Sequence, residues 1–113
     1  MPVNEELLNR VREALMDIAE VTEKRMFGGI CFMVNNKLCV CVNQHEILCR
    51  IGPDEFDNAI EQNGTRPMQQ GDRTAKGYVF VDELAIQNKV DFDYWIGLAL
   101  TYNKVAKSSK KRR

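Results

Sequence analysis

Between Ile30 and Ile51 the chain runs through three short apolar stretches separated by two tight polar breaks. Ile30 to Val34 is followed by Asn35-Asn36, then Lys37 to Val42, then Asn43-Gln44-His45-Glu46, then Ile47 to Ile51. Strands joined by so few residues pair only antiparallel, because parallel neighbours need a crossover of about a dozen residues or more. An Asn-Asn pair is suited to a two-residue hairpin turn, which asks both residues for positive φ. This segment therefore dictates an antiparallel meander, and the rest of the chain has to cover it.

The flanking segments supply the cover. A first helix is expected from Glu5 to Ala19, with Asn4 as N-cap and Glu5 and Glu6 at the positive end of the dipole. Leu7, Leu8, Val11, Leu15 and Ile18 form its apolar stripe, and Glu6, Arg10, Glu13 and Asp17 its solvated side. Lys24 to Phe27 reads as a short strand, and Gly28-Gly29 as a bulge or a close backbone approach. After the meander, Pro53 opens a short helix whose buried side is Phe56, Ala59 and Ile60, stopped by Asn63-Gly64. Thr65 to Lys76 reads as a polar loop and Gly77 to Asp82 as a strand. A last helix, Asp91 to Ala106, is anchored by Phe92, Trp95, Ile96, Ala99 and Leu100. The order predicts an α+β fold: an antiparallel meander of about five strands flanked by N-terminal, middle and C-terminal helices.

A length of 113 residues suits one domain, placed at residues 1–106. No run approaches the ~18 apolar residues of a membrane span. Met1 to Glu6 has neither the basic start nor the apolar stretch of a secretory signal, so cytoplasmic residence is expected. Charge balances at 16 basic and 16 acidic residues, but Lys107, Lys110, Lys111, Arg112 and Arg113 lie in the last seven positions. Subtracting those five from 16 leaves 11 basic against 16 acidic, an acidic body with a basic tail. Such a body does not suit a domain that grips nucleic acid through its main surface. Residues 107–113 are expected to be a disordered, solubilising end, with salt-sensitive phosphate contact as its only route to nucleic acid.

Four cysteines raise metal and disulfide readings. If the Asn-Asn turn sets a regular register, Phe32 faces Cys39 and Cys31 faces Val40; if Val42 pairs with Ile47, Val40 faces Cys49. One sheet face then carries Cys31, Met33, Leu38, Val40, Val42, Ile47, Cys49 and Ile51. Cys31 and Cys49 would flank Val40 about 10 Å apart, too far for a disulfide. Cys39 and Cys41 would lie on the opposite face, so no tetrahedral sulfur site forms, and the spacings are wrong for zinc. The expectation is free, mostly buried thiols and no metal or cofactor. The second face would carry Ile30, Phe32, Val34, Cys39, Cys41 and Leu48, with Lys37 and Arg50. That is greasy for a solvent face and predicts cover either by the terminal helix or by another copy, the second case being a homodimer.

Four segments then fall into a familiar order: Arg25-Met26-Phe27-Gly28-Gly29, the hairpin Cys31 to Lys37, Arg50-Ile51-Gly52-Pro53 with Arg66-Pro67-Met68, and Lys76-Gly77-Tyr78-Val79. In these the chain resembles the TfoX/Sxy N-terminal domain family, from the first helix to about Ala106. The resemblance implies a curved antiparallel sheet flanked by helices, similar to small secretion-chaperone-like domains. In larger members this domain precedes a C-terminal domain and takes part in regulating natural competence with a transcription factor. This chain looks like a stand-alone member that stops after the first domain.

The residues do not assemble a reaction centre. His45, the single histidine, falls in a turn; Asp54, Glu55 and Asp57 suit a helix start; Gly28-Gly29 lacks the spacing of a nucleotide loop. No catalytic residue is named and no enzymatic activity is expected. The cations stand out instead. Arg25, Arg50, Arg66 and Lys76 lie in or beside the family-like segments, and guanidinium groups suit carboxylate or phosphate. Two or more of them are expected to meet at one sheet edge and hold an anion or a partner's side chain, or else each to pair with an acid such as Glu23, Asp54, Asp72 or Asp82. Met26, Phe27, Gly28 and Gly29 are read as a structural motif. The function expected is a small cytoplasmic interaction module acting through a protein partner, in transcriptional regulation. The alternatives are an anion or phosphorylated-ligand binding domain and a weak nucleic-acid binder working through the tail.

Overall fold

The computed structural model describes residues 3–26 and 28–107. In chain order the elements are α1 (Glu5–Ala14), β1 (Val21–Met26), β2 (Gly29–Val34), β3 (Lys37–Val42), β4 (Glu46–Arg50), α2 (Pro53–Ala59), β5 (Thr65–Gln70), β6 (Arg73–Asp82), a 3-10 turn (Glu83–Ile86) and α3 (Lys89–Asn103). The strands form one sheet in the order β1-β2-β3-β4-β6-β5, every neighbouring pair antiparallel. The fold is α+β, with three helices against a six-stranded sheet.

The turn residues act as the sequence demands. Asn35 and Asn36 take φ of 55° and 64°, the doubly left-handed turn that matches the twist of a hairpin. Gly28, at φ 75°, turns β1 into β2. Gly29 is a close approach: a Cβ there would overlap the Val42 carbonyl oxygen, so only glycine fits. Asn4 caps α1, its Oδ1 accepting from Leu7 N at 3.0 Å.

Several boundaries differ from expectation, among them the start of β1 at Val21 rather than Lys24 and the end of α3 at Asn103 rather than Ala106. α1 ends at Ala14 rather than Ala19, and Ile18 is exposed, because the left-handed Glu20 reverses the chain to bring Val21 opposite Val34. The polar loop expected from Thr65 to Lys76 is a hairpin instead: β5, a Gly71-Asp72 turn, and the first part of β6. β5 is an edge strand, so it needs neither continuous apolar residues nor an amide from Pro67. α3 begins two residues earlier than expected, capped by Asn88, whose side chain accepts from Asp91 N at 2.9 Å.

The expected register of β2 and β3 is corrected by a bulge. Val34 pairs with Lys37 and Met33 with Leu38, but Phe32 then pairs with Val40 and Cys31 with Cys41. Cys39 is the extra residue, and Cys39 and Val40 both join the core beneath the helices. The slip moves Phe32 and Val34 to the helix-covered face, and Cys31, Met33 and Leu38 to the other. β3 and β4 pair as expected, Val40 with Cys49 and Val42 with Ile47. The helix-covered core joins Leu7, Val11, Phe32, Val40, Val42, Ile47, Val79, Val81, Phe92, Trp95, Ile96 and Ala99. A second cluster lies on the opposite face: Cys31, Met33, Leu38, Cys41, Leu48 and Met68, with Ala75, Tyr78 and Phe80 against it. Met68 and Ala75 come from the β5–β6 hairpin, so this face is closed within one chain; its buried members are at most 8% exposed. The open greasy face that motivated self-association there does not exist.

The thiol distribution changes with the register. Cys31 and Cys41 stand directly opposite, Cα atoms 3.9 Å apart, and form a cross-strand disulfide. Cys39 and Cys49 remain free and buried on the other face. The expectation of four free thiols fails because regular alternation places no bulge at Cys39.

Candidate interaction surface

The four cations do not meet. Arg25 lies on β1 and Arg66 on β5, the two opposite edges, five strand spacings or roughly 24 Å apart. Arg66 is engaged within the chain: its Nη2 donates to Glu46 Oε2 at 2.6 Å, and its guanidinium lies 4.3 Å above the Phe80 ring. Arg50, on β4 opposite Tyr78, sits 5.6 Å from the rings of both Tyr78 and Tyr102, with a buried Nη1 that has no hydrogen-bond partner. Cation–π contact from two tyrosines ties this strand end to α3. Lys76 is exposed on β6. Arg25, Met26, Gly28 and Gly29 line an open depression of about 290 Å³, while Phe27 falls outside the described residues. Of the tail, Lys107 is exposed and Lys110, Lys111, Arg112 and Arg113 fall outside the described residues.

The free thiols are sealed and Glu23 is paired. His45 is exposed at its turn, Nδ1 3.7 Å from Glu83 Oε1. Burial pushes the Cys39 thiol up to about 12 against a smaller opposing effect of Arg50, and burial, then Cys39, raises Cys49 as well. Thiols held protonated at neutral pH are poor nucleophiles. Glu23 pairs with Arg12, and that hydrogen bond lowers its pKa. Among the described residues, no three His, Cys, Asp or Glu side chains are grouped to hold a metal ion.

The chemistry that stands open is on α3. Its inner side is used up by folding: Phe92, Trp95, Ile96, Ala99 and Asn103 are buried. Asn103 fastens the C-terminal end, its Nδ2 donating to Val34 O at 3.2 Å while its own carbonyl accepts from Lys37 Nζ at 2.6 Å. The outer side carries Val90, Tyr94, Gly97 and Thr101, all exposed, at spacings of four, three and four residues. Val90 is 79% exposed and Tyr94 43%, and Val105, just past the helix, is 75% exposed. A Cβ on Gly97 would meet nothing within 4 Å. The Tyr94 ring stands edge-on to Trp95 and its hydroxyl accepts from Gln62 Nε2 at 3.4 Å, so the ring is held in one attitude. Four uncharged residues at this spacing form one stripe along the helix, open to water.

Sequence reading singled out the anchors of α3 and passed over this stripe. The available signal was an uncharged stripe at helical spacing on the side of α3 opposite its anchors, flanked by Lys89, Asp91 and Asp93.

The architecture defines an α+β domain whose sheet is packed on both faces and whose last helix presents an uncharged stripe flanked by charged residues. The chain belongs to the TfoX N-terminal domain family: the model of that family matches residues 13–102, most of the 113-residue chain. No curated protein and no solved structure matches it. Among the described residues, no helix is long and apolar enough to cross a membrane.

Proposed function

We propose that the protein is a non-enzymatic cytoplasmic interaction module that works by protein–protein contact in transcriptional regulation, with the outer side of α3 as its docking surface. The stripe Val90, Tyr94, Gly97 and Thr101 carries this reading. An uncharged helix side left in water, on a helix whose inner side already satisfies the fold, gains free energy when a partner covers it. The cations support an anion site less well, since Arg66 is paired, Arg50 is stacked and Arg25 lies on the far edge.

Quantitative affinity capture from a host lysate tests the reading with three baits: the wild type, Tyr94→Lys, and a chain lacking residues 107–113. The expected result is a protein captured by the wild type and the truncated chain and lost with Tyr94→Lys. Equal capture by Tyr94→Lys contradicts the α3 surface. Capture lost only on truncation transfers the function to the basic tail.

A further inference from the structure

We propose that the partner seated on the outer side of α3 is a second copy of this chain, with the two α3 helices packed antiparallel about a two-fold axis near their midpoint. This rests on the reading of α3 as the docking surface and names its occupant.

The stripe is complementary to itself in shape. Val90, Tyr94, Gly97 and Thr101 follow the four-three-four spacing of a helix–helix seam. In an antiparallel pair centred between Trp95 and Ile96, Tyr94 of one copy faces the partner's Gly97, and Val90 faces the partner's Thr101. Symmetry repeats both contacts, as an isologous interface requires. The largest side chain of the stripe thus meets the one position without a side chain. A parallel pair would set tyrosine against tyrosine and leave a void between the glycines. This also accounts for Gly97, an exposed glycine in mid-helix that weakens the helix relative to alanine and that nothing among the described residues requires.

Charge selects the same arrangement. The first turn region of α3 holds Lys89, Asp91 and Asp93, and Lys89 is already committed to Asp93 by an ion pair. Past the seam at the other end lie Lys104 and Lys107, both exposed and without an acidic residue between them. Antiparallel packing sets the net-acidic end of each helix towards the basic end of its partner and opposes the two helix dipoles. Parallel packing would bring like ends together.

The contact is small. A 15-residue helix is about 22 Å long, and a seam of that length covers on the order of 600 Å² in total, below the ~1,000 Å² of a stable interface. A contact of this size suits a weak, rapidly exchanging dimer, read at high protein concentration.

Sedimentation equilibrium of the full chain from about 10 μM to 1 mM, beside Tyr94→Lys, reads the association. Wild type is expected to move from monomer towards dimer mass, and Tyr94→Lys to stay monomeric with an unchanged thermal midpoint at low concentration. In a mixture of isotope-labelled and unlabelled wild type, an intermolecular NOE from the Tyr94 ring to the partner's Gly97 α-protons is expected. Wild type that stays monomeric at 1 mM, or Tyr94→Lys that associates like wild type, overturns the proposal. The lysate capture separates the two failures. A monomeric wild type whose captured protein is lost with Tyr94→Lys removes the second copy and leaves α3 as docking surface; capture insensitive to Tyr94→Lys removes both.

Discussion

The two sides of α3 are built from similar residue types and do different things. The inner side places Phe92, Trp95, Ile96 and Ala99 in the helix-covered core and locks Asn103 to the β2–β3 turn. The outer side places Val90, Tyr94, Gly97 and Thr101 in water, where among the described residues Gln62 reaches the Tyr94 hydroxyl. A helix buried on one side only needs polar residues on the other for solubility. On α3 the exposed charges of Lys89, Asp91 and Asp93 flank the stripe instead of filling it, so uncharged character on this helix serves two purposes, one internal to the fold and one directed outward.

The sharpest way to break this contrast is truncation on each side. Trp95→Ala is expected to cost about 3–5 kcal/mol in urea unfolding, a large share of a small domain's stability, because the cavity lies at the helix–sheet contact. Tyr94→Ala, one residue away, is expected to cost roughly 0.5 kcal/mol or less, the range of a surface change. Similar losses at both positions would erase the distinction.

The disulfide on the far face of the sheet sharpens it further. Cys31 and Cys41 are ten residues apart in sequence, and closing a loop of that size is worth roughly 2–3 kcal/mol in the chain-entropy account. Reduction is expected to lower the urea midpoint by a corresponding amount while leaving concentration-dependent association unchanged, since neither cysteine lies on α3. Asn103→Ala follows, at about 1–3 kcal/mol, because it leaves the buried Val34 carbonyl without its donor. The smallest effect belongs to Glu23, held by Arg12 on the exposed surface. Its folded pKa is depressed, so its contribution is present above the unfolded carboxylate value and lost as pH falls through the folded one. Comparing wild type with Glu23→Gln in urea titrations from about pH 6 down to pH 3 should show a slight convergence towards the acid end.

Much of this architecture is legible in the residues, and the exceptions have local causes. The Asn35-Asn36 turn, the capping Asn4, the Pro53 helix start and the strand order through β4 follow from turn and cap chemistry that acts within a few residues. The bulge at Cys39 does not: an extra residue leaves no mark on an apolar strand whose neighbours on either side are also apolar. That single residue reassigned the faces of β2 and brought Cys31 to Cys41. β5 escaped notice because an edge strand tolerates Arg66, Pro67 and two glutamines. The cations looked convergent in sequence order, but β6 inserts between β4 and β5, and Arg25 stays on the opposite edge. The α3 stripe was visible as spacing and lacked only the knowledge of which side the sheet occupies.

The most direct test of an outward purpose for α3 is the substitution Gly97→Ala, followed by unfolding at low concentration and sedimentation at high concentration. Among the described residues nothing obstructs the added methyl, and alanine favours the helix by about 1 kcal/mol over glycine. The account predicts a more stable monomer that associates less well, because the hollow for the partner's tyrosine is filled. A variant that loses stability, or that gains it with association undiminished, would contradict it.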